Sequence, residues 1–196
     1  MIRSFLALSA FLLLAACASQ EITGPPEPLG DFKLGHNIVV ASKMQKVPLS
    51  RDATEEEWVA SLTQAIDRRF GRYEGEKLYH FGVSVEGFAL GAPGVPLVYT
   101  PKSALIVNIT VWDDAKGTKI NDEAHQIAVL ESAGGSLVVG SGWVNTKEEQ
   151  MANLSFNAVR AIEKWLSQKH KDQGWFTDTV LPDPPKESAS PKAGTQ

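Results

Sequence analysis

The chain has one cysteine, four histidines and no surplus of basic residues, and each shortage removes a class of function. A single cysteine, Cys17, rules out a disulfide within the monomer. The histidines stand at 36, 80, 125 and 170, without an i, i+4 pair or a His-Cys set, so the spacing predicts no metal site. Lys and Arg number 19 against 23 Asp and Glu, so bulk charge does not draw the chain to nucleic acid. The longest apolar run, Phe5 to Ala16, would span about 18 Å as a helix, short of a ~30 Å hydrocarbon core. Chemistry-bearing motifs are missing as well. Asp113-Asp114 with Gly117 lacks the acidic spacing of a calcium loop and reads as a turn. Gly140-Ser141-Gly142 lacks the residues that flank serine in a nucleophile elbow. The acids Glu55–Glu57 and Glu148-Glu149 stand where helix starts favour negative charge, which accounts for them without catalysis. No catalytic residue, cofactor or metal is expected.

What is present begins with an address. Arg3, a short apolar stretch and small residues at its exit make residues 1–16 an export signal, distinct from a stable span. Its exit, Leu14-Ala15-Ala16-Cys17, resembles the lipobox of bacterial lipoproteins. That resemblance implies diacylglycerol on the Cys17 sulfur, cleavage just before it, and a further acyl chain such as palmitate on the new amino terminus. An ordinary secreted protein with a chance cysteine is the alternative, but the one cysteine stands at the one position lipidation needs. Two or three acyl chains hold a protein firmly, where one would not. Ala18, in place of aspartate, resembles the pattern that sorts proteobacterial lipoproteins to the outer membrane. Losing Arg3 with the signal leaves 18 basic against 23 acidic residues, a formal charge of −5. Residues 17–35, with Pro25, Pro26 and Pro28, read as a lipidated tether.

A single α+β domain is expected over 36–171. Ile38–Ala41 makes a short strand. Thr54 with Glu57 forms a capping box, and Trp58, Leu62, Ile66 and Phe70 recur every four residues until Gly71. Period two follows: Tyr79, Phe81, Val83 and Val85 alternate with His80, Gly82, Ser84 and Glu86, and Leu105, Val107, Ile109 and Val111 with Ile106, Asn108, Thr110 and Trp112. Ile127 and Val129 mark another strand, and Leu137–Val139 a last one after the Gly134-Gly135 turn. Thr146 with Glu149 opens a second helix, whose stripe is Met151, Leu154, Ala158, Ile162 and Trp165, running to about Lys169. The simplest packing is a two-layer sandwich: a mostly antiparallel sheet of four to five strands with two helices on one face. Residues 172–196, rich in proline and poor in apolar groups, are expected to be a disordered tail.

Two groups are candidate binding sites. The segment Pro93, Val95, Leu97, Val98 and Tyr99 is a loop by its prolines yet apolar by its side chains. It either meets a partner or folds back over a sheet edge. The sheet face away from the helices, with Ile106 and Trp112 beside His80, Ser84 and Phe88, mixes apolar and neutral polar groups as interface cores do. The tail aromatics Trp175 and Phe176 could cover Trp112 instead. Separately, Arg68, Arg69, Arg72 and Lys77 around the end of the first helix either complement its dipole or bind an anion such as a phosphate headgroup.

Lipobox, tether, strand–helix–three strands–helix and proline-rich tail together resemble the outer-membrane lipoproteins of lipopolysaccharide assembly, and are similar to auxiliary lipoproteins of envelope transporters. The resemblance covers nearly the whole chain and rests on architecture, with Leu14 to Cys17 its one residue motif. It implies a non-catalytic module at the outer membrane, its domain in the periplasm, supporting an envelope protein partner. The alternative is a lipid-anchored hydrolase acting on envelope material, which would need a nucleophile or carboxylate pair converging in a pocket.

Overall fold

In a computed structural model, which describes residues 25–91, 103–131 and 145–177, both capping boxes are closed. Helix α1 spans Glu55–Phe70, with Thr54 accepting from the Glu57 N–H and the Glu57 carboxylate accepting from the Thr54 N–H. Helix α2 spans Lys147–Gln173 and repeats the device with Thr146 and Glu149. It ends at Gly174, whose φ of +64° is the left-handed conformation that glycine adopts at least cost. Six strands accompany them: β1 (Phe32–Val40), β2 (Gln45–Lys46), β3 (Lys77–Ala89), β4 (Ala104–Asp113), β5 (Thr118–Lys119) and β6 (His125–Leu130). Two of the six are only two residues long.

The strands form one sheet in the order β1-β3-β4-β5, with β2 continuing beyond β1 along β3 and β6 beyond β5 along β4. Pairing is antiparallel among β3, β4, β5 and β6. It is parallel between β1 and β3, because α1 carries the chain back before β3 begins. The fold is thus α+β, a mostly antiparallel sheet with both helices packed against one face. Between β5 and β6 the Asn121 side chain stands in for a ladder, accepting from the Val111 N–H at 2.8 Å and donating to the Ile109 carbonyl at 3.0 Å.

The core lies between that face and the helices. Trp58, Leu62, Ile66, Phe70, Leu154 and Ile162 are buried with Tyr79, Phe81, Val83, Leu105, Val107 and Ile109, as the two periodicities require. Trp165 departs from this and is only half-buried. It flanks the stripe, stacked on His125 with ring centroids 4.3 Å apart.

Both ends of the domain reach further than the composition suggests. β1 starts at Phe32, inside the stretch assigned to the tether, and Leu29 and Phe32 are core residues. A bulge between Leu34 and Asn37 interrupts the alternation, which hides the strand's first half from a period-two reading. At the other end, Phe176 is buried against Phe32 and Tyr79, with centroids 5.1 and 4.7 Å away. Trp175 and Phe176 therefore do fold back, but onto the end of the core and not onto Trp112. The expected strand at 137–139 and the signal, Cys17 and residues 93–99 lie outside the described residues.

Candidate functional site

With both helices on one side, no element among the described residues packs on the other side of the sheet, the open face. Register places its side chains in rows across the strands: Ile38, Gly82 and Thr110; then Val40, Ser84, Asn108 and Gln126; then Gly87, Ile106 and Ala128. His80, Trp112 and Lys119 form a further row, with the Lys119 ammonium 5.6 Å from the Trp112 ring centroid. Most large exposed apolar residues of the described chain fall here. Ile38 is 62% exposed, Leu130 57%, Val40 49%, Trp112 39% and Ile106 37%. Lys33, Glu86 and Lys119 are among its few charges. Patches of this extent on a small domain mark interaction surfaces more often than plain solvent contact.

Of the expected face, one residue is misplaced. Phe88 is 2% exposed and packs on Trp58 at 5.4 Å in the core. A bulge between Val85 and Gly87 inserts Glu86 as an extra residue and turns the rest of β3 over by one position. Ile106 and Trp112 both lie on this face, with the rows of Asn108 and Thr110 between them.

His80 is the most constrained group on this face. Its Nδ1 accepts the His36 backbone N–H at 2.8 Å, which assigns the proton to Nε2, and Nε2 donates to Asp114 Oδ1 at 2.8 Å. The His36 ring stacks on it at 4.9 Å. Both ring nitrogens are therefore occupied, and neither can serve as base to a nearby hydroxyl. The Ser84 hydroxyl donates to the Glu86 carboxylate, which holds serine as a hydrogen-bond donor. Among the described residues no cluster of His, Cys, Asp and Glu could hold a metal ion.

The four cations considered as an anion site are dispersed. Arg69 donates through Nε and a terminal nitrogen to Glu163 Oε2 at 2.8 and 2.6 Å, and Arg72 to Oε1 at 3.0 Å. The Tyr73 hydroxyl donates to Oε1 at 2.7 Å. Burial pushes the Glu163 carboxyl up, but the bonds from Tyr73, Arg69 and Arg72 outweigh it and hold it below the ordinary glutamate value. Tyr73 moves the other way, raised by burial and by its bond to Glu163. The cluster joins α1 to α2, so Arg69 and Arg72 are spent inside the fold and not offered to a phosphate. Arg68 lines a shallow groove that runs along α1 from Glu55 and Glu56 at its start to Asp67 near its end, and Lys77 opens β3. Sequence reasoning missed Glu163, although Arg69 sits three positions after Ile66 and beside Phe70, on the inward stripe, where a cation needs a buried partner.

No protein-family model matches the chain, and no curated protein matches it. Solved structures give loose likenesses of fold. A Xanthomonas campestris protein is 12% identical over 75% of this chain and 88% of its own, with a TM-score of 0.43. A Caulobacter crescentus chain is 14% identical over 67% and 92%, at 0.40. A minor lipoprotein from Acinetobacter baumannii is 12% identical over 68% and 90%, at 0.25. Similarity at this level carries no argument about activity or partner. Among the described residues no helix is long and apolar enough to cross a membrane.

Proposed function

We propose that the protein is a lipid-anchored binding or scaffold module of the bacterial envelope, fixed to the outer membrane through acylated Cys17, its domain in the periplasm. It meets an envelope protein partner through the open face of its sheet, with Ile106 and Trp112 as anchors, together with the segment 93–99. The observation that carries this reading is the composition of the face: exposed Ile38, Val40, Ile106, Trp112 and Leu130 among neutral Ser84, Asn108 and Thr110. A sheet meeting only water would carry alternating Lys and Glu there. Non-obligate interface cores have this depletion of charge and this aromatic content.

The test has two arms. Cys17→Ser should abolish lipid labelling and release the protein from membranes, and retention of the variant in outer membranes at high salt would refute the anchor. Ile106→Asp with Trp112→Ala should leave the fold intact and strongly reduce recovery of crosslinked envelope partner. Undiminished recovery would place the interface elsewhere. Catalysis finds no support in the arrangement of His80, Ser84 and Glu86.

A further inference from the structure

Resting on the reading of Cys17 as the anchor, we infer that residues 27–31 are a fixed stem that sets which end of the domain faces the membrane. The stem is bound to the domain along its length. The Tyr73 hydroxyl lies 2.9 Å from the Glu27 carbonyl, and Leu29 is a core residue. Gly30, at φ +65°, passes so close to the His170 ring that a Cβ there would overlap it. Asp31 donates its N–H to the Phe176 carbonyl at 3.1 Å and accepts the Glu76 N–H at 2.6 Å. Among the described residues, Glu27 is the first that bonds to the domain.

From Cys17 to Glu27 there are ten residue steps, which reach at most ~33–36 Å when fully extended. Strand β3, 13 residues long, rises ~40 Å over its twelve steps from Lys77 beside the stem to Ala89 at the other end. That far end is tied together by the Gly91 N–H to Ser103 Oγ at 3.1 Å, the Glu131 N–H to the Ser103 carbonyl at 2.9 Å, and Arg51 to the Asn145 carbonyl at 3.1 Å. Even fully extended, the stretch from Cys17 to Glu27 is shorter than β3. It cannot let the far end rest on the bilayer with the stem above it. The end that carries the stem is therefore membrane-proximal, and segments 92–102 and 132–144 leave and re-enter the fold at the membrane-distal end.

In the acylated protein the Cys17 sulfur is a thioether, so an introduced cysteine is the one free thiol and takes a fluorophore cleanly. Glu74→Cys reports the stem end and Asp52→Cys the far end, next to Arg51, whose N–H bonds the Leu90 carbonyl. Each full-length variant is bound to vesicles carrying an acceptor dye on the lipid headgroups. Energy transfer should be several-fold stronger from position 74 than from position 52. Equal or stronger transfer from position 52, with both variants floating with the vesicles, would overturn the inference alone. Failure of both to float would instead overturn the anchor reading and this inference with it. Inserting about 20 Gly/Ser residues after Glu21 should bring the two signals together, because about thirty steps can extend to ~100 Å and no longer hold either end of the domain to the bilayer. A difference unchanged by the insertion would show that the linker does not set the orientation.

Discussion

Removing the Glu163 carboxylate should be among the most damaging single changes in the domain. Glu163 is 1% exposed and accepts from Arg69, Arg72 and Tyr73 at 2.6 to 3.0 Å. The Arg69 side chain is itself only 10% exposed, so Glu163→Ala leaves a guanidinium buried without its counter-charge. Breaking one side of such a pair costs about 3–5 kcal/mol, more than the pair adds when intact, since desolvation of both ions opposes their attraction. The double variant Arg69→Met with Glu163→Leu should therefore cost less than the two single changes together. Urea unfolding monitored by tryptophan fluorescence measures this, as a shift of midpoint at constant slope. The same carboxylate gives a pH signature. Its value is depressed in the fold, so its stabilisation is present above the unfolded glutamate value of about 4.3 and fades as pH falls through the lower folded value. Glu163→Gln should flatten that acid limb. A loss below ~1 kcal/mol for Glu163→Ala, or strict additivity with Arg69→Met, would refute the buried-cluster account.

Gly35 lies where a Cβ would overlap the His80 ring, so Gly35→Ala should cost about 1–3 kcal/mol by thermal or urea unfolding, and His80→Ala in the same chain should recover part of it. If the second change recovers nothing, the bulge and not the ring makes the demand. Phe176→Ala should destabilise by about 3–5 kcal/mol, because the ring is buried between Phe32 and Tyr79. A cost within ~0.5 kcal/mol would detach the tail from the core. Burial and then Lys169 lower the His125 pKa, so proton NMR should find its titration below the ordinary histidine value, and the neutral ring's contribution to stability should fade as pH falls below about 6.5. A midpoint at or above 6.5 would place the ring in solvent.

Much of the fold is legible because it is written locally. Thr54 with Glu57 and Thr146 with Glu149 satisfy backbone donors within one helical turn, and the capping boxes close as the spacing demands. The inward set Tyr79, Phe81, Val83, Leu105, Val107 and Ile109 follows from alternation alone. The misreadings share a cause: period two holds only until an extra residue is inserted. The bulge at Glu86 sends Phe88 inward, and the one at Gly35-His36 hides Phe32 and Leu34 behind a break in the pattern. Phe176 was obscured by its setting, since an aromatic after a helix-ending glycine in a proline-rich stretch carries no periodicity. The ion cluster was out of reach for another reason. Arg69 and Glu163 stand 94 positions apart, and only packing of α1 on α2 brings them together. On the candidate site, Ile106 and Trp112 were legible as outward positions of β4, whereas the lock on His80 depends on the parallel neighbour β1, a tertiary fact.

On the proposed function, the open sheet face, not the helical face, meets the envelope partner. Site-specific photocrosslinking in living cells tests it directly, with a photoreactive side chain at Ile106 on the face and at exposed Arg160 on α2 as control. A discrete crosslinked species that forms from position 106, is absent from position 160 and disappears when Trp112→Ala is added is the predicted result. Crosslinks that form from position 160 and not from 106, or equally from both, would contradict it.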